Sequence, residues 1–101
     1  MKAFLINPEE QSIEAIVINS HEEIKKLIGF DTIISDALDG GDSLFFDEDC
    51  FLRGTNGRFQ VDKLIPVSGK GIIVGTLDEG GATLADVVSG IDDLRQRITY
   101  L

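Results

Sequence analysis

The residues of this chain most able to do chemistry are carboxylates that recur through its middle. Asp36, Asp39 and Asp42 are spaced three apart, and the acidic run Asp47–Asp49 follows them. Carboxylate oxygens are the ligands that a hard cation such as calcium prefers. A calcium-binding loop, however, needs oxygen ligands at alternate positions before a glycine, and neither Asp36 nor Asp47 begins such a pattern. We therefore predict no metal site and interpret these acids as exposed charge.

The other reactive residue types are too few to form a catalytic set. His21 is the only histidine and Cys50 the only cysteine, so neither a His/Cys metal site nor an internal disulfide can form. His21 lies beside two glutamates, where we expect an exposed residue near a helix start rather than a member of a catalytic triad. The sequence thus predicts no catalytic residue and no cofactor, and we expect a protein that is not an enzyme.

The charge of the chain restricts its partners. Nine Lys and Arg against 18 Asp and Glu give a net charge of −9, which repels nucleic acid and anionic membranes. We predict that it binds neither of them. We also expect a cytoplasmic protein, because a lone thiol suits a reducing compartment and the apolar run Met1–Ile6 is too short for a signal peptide or a membrane span.

Residues 50–77 depart from this acidic character. They carry four cations and a single acid, Asp62, so the segment is positive overall. Two interpretations are open. Arg53 and Arg58 can pair with Asp47, Glu48 and Asp49 on a neighbouring strand, or they can form an anion site together with Asn56.

The hydrophobic pattern predicts short strands through most of the chain. Residues 2–7 and about 12–18 read as an antiparallel hairpin around Asn7-Pro8. Further strands are expected at 32–34 and 42–46, with a loop over 36–41 between them. The apolar run 71–75 is typical of a central strand that is buried on both faces.

Two capping patterns predict helices. Ser20 with Glu23 begins a short amphipathic helix over 21–28 that ends at Gly29. Thr83 with Asp86 begins a longer one, whose apolar stripe runs from Leu84 to Ile98. Residues 51–65 are ambiguous between a hairpin around Asn56-Gly57 and a short helix.

These elements predict one α+β domain over residues 1–101. We expect a small, mainly antiparallel sheet with a short helix in the N-terminal half and a longer C-terminal helix packed on it. The expected packing residues of the C-terminal helix are Leu84, Val87, Val88, Ile91 and Leu94.

Residues 42–79 contain short pieces that resemble a known family. The pieces are Asp47–Asp49, Phe51–Gly54 with Asn56, Ile65–Val67 and Gly69–Thr76. They resemble a family of short uncharacterised proteins found on phages, plasmids and other mobile elements. The resemblance implies an accessory module rather than a metabolic enzyme, and it assigns no activity to any residue.

The function expected from the sequence is non-enzymatic protein binding. We expect the domain to dock a basic host protein through its acidic residues and the adjacent Asn56 turn, since twelve acids lie at or before Asp49. The expected binding residues are Asp36, Asp39, Asp42 and Asp47, with Asn56 beside them. The alternative is a domain for small molecules or anions that uses Arg53, Asn56 and Arg58.

Overall fold

The computed structural model describes residues 1–78 and 80–101. These residues form nine strands and two α-helices, and every strand pairing is antiparallel. The α+β class and the mainly antiparallel pairing predicted from the sequence are confirmed. The strands are divided between two sheets rather than gathered in one.

The first two strands form the predicted hairpin. Strand β1 (Lys2–Asn7) pairs along its whole length with β2 (Ser12–Val17). The Asn7 side chain accepts the backbone amides of Glu9 and Glu10, which closes the turn between the strands.

Helix α1 (His21–Ile28) follows and also matches the prediction. The Ser20 hydroxyl caps its first turn by accepting the amide of Glu23 at 3.4 Å. Gly29 ends the helix in the left-handed conformation (φ 95°), which glycine adopts without steric penalty. The helix buries Ile24 and Ile28.

Besides β1 and β2, the larger sheet contains β3 (Ile33–Ala37), β4 (Asp42–Asp47), β7 (Gly71–Thr76) and the two-residue β8 (Leu84–Ala85), which pairs with the end of β7. Its strand order is β2-β1-β7-β4-β3, so β2 and β3 are its two edges. Strand β7 is central and buried from Gly71 to Gly75, as the apolar run predicted.

The smaller sheet has the order β6-β5-β9, formed by β5 (Arg58–Val61), β6 (Val67–Ser68) and β9 (Ile98–Tyr100). It packs on one face of the larger sheet, where Phe59 and Val61 join Leu44 and Ile73 in one core. Helix α1 packs on the opposite face of the larger sheet in a second core. The larger sheet is therefore the middle of three layers.

The long C-terminal helix was predicted wrongly. Helix α2 is only Ile91–Arg97, and Leu84–Ala85 is strand β8. Both members of the expected capping pair have other partners, since the Thr83 amide donates to Asp78 and the Asp86 carboxylate accepts the amide of Lys2. Pairing with the sheet has therefore overridden the helical pattern.

The expected contacts of that helix are met only in part. Leu94 is fully buried, whereas the Val88 side chain is 70% exposed. Leu84 belongs to the core beside α1, on the other side of the larger sheet.

Residues 51–65 adopt neither predicted arrangement. Residues Cys50–Leu52 form a 3-10 turn, and β5 pairs with β6 and β9 rather than with the segment before Gly57. The alternation of buried Phe59 and Val61 with more exposed neighbours accounts for the strand. Neither helix of the described chain has the length and apolar character needed to cross a membrane.

Candidate functional site

Asp42, the first residue of β4, is a structural anchor. Its side chain is 1% exposed, and its two carboxylate oxygens accept the backbone amides of Val88 at 2.8 Å and Ser89 at 2.9 Å. A buried carboxylate is stable only when such partners are present. Asp42 therefore ties the segment before α2 to β4.

Asp47, the last residue of β4, is also buried and accepts three internal hydrogen bonds. The donors are the Arg53 Nε at 2.9 Å, the backbone amide of Asp49 at 3.1 Å and the hydroxyl of Thr32. Burial alone would raise the pKa of Asp47, but these hydrogen bonds outweigh it and hold that pKa below its usual value.

Arg53 completes this network from the 3-10 turn. Its second donor reaches the Thr32 hydroxyl at 3.0 Å, and its guanidinium lies 4.4 Å from the centre of the Phe30 ring. Asp49 is at the limit of an ion pair with it, at 4.0 Å. Of the two interpretations that the sequence left open for Arg53, the structure thus shows pairing with the acidic run.

The four aspartates of the expected docking surface thus fall into two groups. Asp42 and Asp47 are buried and engaged within the fold, so they offer no carboxylate to a partner. Asp36 is partly exposed within β3, and Asp39 is exposed in the loop before β4. Of these four aspartates, only Asp36 and Asp39 remain as candidate binding residues.

The hydrogen bonds at the ends of the β3–β4 hairpin show which backbone groups of β3 are directed at β4 and which point away from it. The Leu38 amide donates to the Asp42 carbonyl at 2.8 Å, and the Glu48 amide donates to the Thr32 carbonyl at 2.7 Å. In an antiparallel pair, residues alternate between facing the partner strand and facing away. The even-numbered residues of β3 therefore face β4.

The alternate residues of β3 present unused backbone groups. By this register, the backbone amides and carbonyls of Ile34 and Asp36 are directed at β4. Those of Ser35 and Ala37 point away from β4, in the plane of the sheet and beyond its edge. Within the described chain, β3 pairs with β4 alone. We call these outward groups of Ser35 and Ala37, with the carboxylates of Asp36 and Asp39, the β3 edge.

Two grooves flank the β3 edge. On the side of α1, a groove of about 470 Å³ is lined by apolar Ile24, Ile33 and Phe45 and by polar residues that include Lys25 and Ser35. At the other end of the strand, a groove of about 560 Å³ brings Asp39 together with Asp62 and Asp93.

The second groove has an acidic character. Arg97 lies within it but donates to Asp62 at 2.6 Å and to Asp93 at 3.4 Å. This hydrogen bonding from Arg97 holds the pKa of Asp62 below its usual value, so Asp62 stays ionised. Lys63 also lines the groove, so its three carboxylates outnumber its two cations by one.

The residues of the expected anion site are only partly brought together. Arg53 and Asn56 line a small cavity of about 100 Å³ with Lys70, but Arg58 does not line it. The Arg58 guanidinium lies instead 5.2 Å from the centre of the Phe51 ring. The pairing of Arg58 with the acidic run, which the sequence left open, is not among the ion pairs of the described residues.

His21 is more engaged than the sequence suggested. Its Nε2 lies 2.7 Å from the Gly81 carbonyl, and its ring contacts Phe45 edge-on at 5.8 Å between centroids. It thereby holds the loop before β8 against α1. Among the described residues, His, Cys, Asp and Glu do not gather in any group of three or more that could hold a metal ion.

Sequence reasoning missed the β3 edge because it ended the strand at Ile34 and placed Asp36 in a loop. The Gly40-Gly41 pair was the available signal. Both glycines have positive φ (101° and 104°) and form a tight connection, which implies strands that continue close to it on both sides.

Comparison of the chain with protein-family models, with curated proteins and with solved structures yields no match.

Proposed function

We propose that this domain is a non-enzymatic interaction module that binds a basic, extended segment of a partner protein along the β3 edge. The observation that carries the proposal is an edge strand whose outer side has no partner among the described residues, with the partly exposed Asp36 and the exposed Asp39 beside its outward backbone groups. An extended peptide can add a strand to such an edge through main-chain hydrogen bonds, and adjacent pockets then select its side chains.

The charge of the exposed surface supports a basic partner. Twelve acids lie at or before Asp49, and all except Asp42 and Asp47 are at least partly exposed. Complementary charge steers association and makes it sensitive to salt. The acidic groove at Asp39 would receive a lysine or arginine side chain of the added strand.

The groove beside α1 supports the same mode of binding. Successive side chains of a strand point to opposite faces of the sheet. A partner that adds to β3 would therefore place alternate side chains over Ile33 and Phe45. We infer a partner segment in which basic and apolar residues alternate.

The biological setting rests on the sequence resemblance alone. On that basis we propose an accessory protein of a mobile element that acts on a host protein in the cytoplasm. Nucleic acid is not a fitting partner, since a surface of this charge repels phosphates.

The alternative of an anion-binding domain has weaker support. The Arg53 guanidinium already donates to Asp47 and Thr32, and Asp47 is itself among the residues that line the cavity. A bound anion would meet that negative charge at close range.

A calorimetric titration tests the proposal with a short synthetic peptide that alternates lysine and valine. We expect binding that weakens as salt is raised. The double variant Asp36→Asn/Asp39→Asn should bind roughly five-fold more weakly, which corresponds to about 1 kcal/mol for two partly exposed charges.

The matched control is Glu9→Gln/Glu10→Gln, which removes the same charge from the turn between β1 and β2. It should bind the peptide about as well as the parent. Equal weakening in both double variants would mean that only net charge matters. Equal binding of a peptide with glutamate in place of lysine would contradict the proposal.

A further inference from the structure

The opposite edge of the larger sheet, β2, also has backbone groups without a strand partner among the described residues. The amide of Ile18 donates to the Met1 carbonyl at 2.9 Å, so Ile18 faces β1 at the end of the hairpin. Because backbone groups alternate in direction along an antiparallel strand, the amides and carbonyls of Ser12, Glu14 and Ile16 are directed at β1. The amides and carbonyls of Ile13, Ala15 and Val17 point away from β1, in the plane of the sheet and beyond its edge.

The β2 edge is apolar and poorly protected. The Val17 side chain is 69% exposed and Ala15 is also exposed. They line a groove of about 380 Å³ with Phe4 and Val87, whose lining is mostly apolar. Proteins usually protect such an edge with charges, proline or a bulge, whereas the only charged residue of β2 is Glu14.

We propose that β2 is the interface for a second copy of this chain, with two β2 strands paired antiparallel about a two-fold axis through Ala15. In this register the outward groups of Ile13 meet those of Val17 in the partner copy, and Ala15 meets its own counterpart. All three positions present donors and acceptors, so every outward group finds a partner. The two larger sheets would become one continuous sheet.

The charges along β2 fit this self-pairing. Glu14 would lie opposite the partner's Ile16 rather than opposite a like charge. Beyond the strand, Gln11 would lie opposite the partner's Asn19. No like-charged residues are placed directly opposite each other, an arrangement that would be destabilising.

Antiparallel pairing of two β3 strands about a two-fold axis would instead place like charges opposite each other. A two-fold axis through Ser35 would place Asp31 opposite the partner's Asp39, and both aspartates are exposed. Like charges directly opposite each other oppose pairing. The charge pattern thus favours self-association through β2 and leaves β3 for a basic partner.

The dimer through β2 and the binding of a basic segment to β3 should respond to salt in opposite directions. Each chain carries −9, and the two Glu14 side chains would be diagonal neighbours across the new pairing. Screening of this repulsion should strengthen the dimer as salt is raised. Binding of a basic segment to β3 should instead weaken.

Analytical ultracentrifugation of the full chain, over a concentration series that reaches about 1 mM, tests the inference. We expect a species of twice the monomer mass that grows with protein concentration and with salt. In hydrogen exchange, the amides of Ile13, Ala15 and Val17 should become protected as the dimer forms.

Two variants test the interface itself. Ala15→Pro removes an outward donor without removing a bond to β1, and proline is tolerated at sheet edges. Val17→Lys adds a charge to the exposed edge and keeps the test valid if the proline variant does not fold. Each should weaken the dimer roughly ten-fold or more, whereas Ala37→Pro on β3 should dimerise like the parent.

The inference is overturned if the chain stays monomeric at every concentration and salt level. It is also overturned by a dimer that survives in folded Ala15→Pro and in Val17→Lys. Open-ended assemblies that Ala37→Pro abolishes would indicate pairing of β2 with β3 and would equally contradict it. Either variant that remains monomeric should still bind the lysine–valine peptide if the proposed function is right, so the two proposals fail separately.

Discussion

At the scale of single residues, Asp47 shows how local partners decide the state of a buried carboxylate. Its hydrogen bonds from Arg53, Thr32 and the Asp49 amide stabilise the ionised form against the effect of burial. Because the pKa of Asp47 is lower in the folded state than its ordinary value of 3.8, ionised Asp47 contributes to stability above that value. This contribution is lost as pH falls through the lower, folded pKa.

The predicted consequence is a pH-dependent effect of Asp47→Asn. At pH 7 the variant should be less stable by about 2 kcal/mol, because hydrogen bonds to a charged acceptor are replaced by weaker ones. The difference should shrink as pH falls below 3.8 and through the lower, folded pKa of Asp47, because both states of the parent are then protonated. Urea unfolding across this range is the measurement, and a difference that stays constant with pH would refute the assignment.

The same residues show what sequence could and could not predict. The pairing of Arg53 with the acidic run was predictable, because the partners lie six residues or fewer apart. The role of Asp42 was not, because its partners are the amides of Val88 and Ser89, 46 and 47 residues away. No local pattern encodes such a contact.

At the scale of secondary structure elements, the hairpin of β1 and β2, helix α1 and strand β7 were predictable. Each has a local signal that agrees with its tertiary surroundings: alternation, a capping pair or an apolar run. The C-terminal half of the chain was harder. Leu84 fits a helical stripe, but pairing of β8 with the end of β7 decides its conformation.

Close packing against Gly75 also favours the strand conformation of Leu84 over a helical one. A Cβ atom on Gly75 would lie only 2.2 Å from the carbonyl oxygen of Asp86. The segment after β8 therefore crosses the end of β7 at a distance that only glycine allows. A helix beginning at Leu84 would not follow this path.

Asp42 is the residue whose loss should most affect the arrangement of these elements. Asp42→Ala leaves the amides of Val88 and Ser89 without an acceptor, and we expect destabilisation of about 3 kcal/mol. Asp39→Ala, three residues earlier and exposed, should change stability by no more than about 0.5 kcal/mol. Chemical denaturation of both variants is the check.

Hydrogen exchange adds a local measure of the Asp42 anchor. The amides of Val88 and Ser89 should exchange faster in Asp42→Ala than the core amides of β7 do. If the two alanine variants were equally stable, the carboxylate of Asp42 would not be the anchor described.

At the scale of the whole molecule, the larger sheet ends in two edges of different character. The β2 edge carries Val17 and Ala15, and the β3 edge carries Asp36 and Asp39. A dimer through β2 would leave both β3 edges exposed at the far ends of the joined sheet. Two copies of one binding site would then be available to a partner, which raises avidity when both are engaged.

The charge that suggested protein binding was readable from composition, but its placement was not. The sequence predicted four docking aspartates, and folding buries two of them at the ends of β4. Which edge strands remain unpaired depends on strand order, which short-range patterns do not specify.

The central claim, that a basic segment adds to β3 as a strand, is tested most directly by amide hydrogen exchange with the lysine–valine peptide at saturation. The outward amides of Ser35 and Ala37 should become strongly protected, whereas those of Ile34 and Asp36, already directed at β4, should change little. If the peptide binds and Ser35 and Ala37 exchange as fast as in the free protein, or if it does not bind at all, the claim is contradicted.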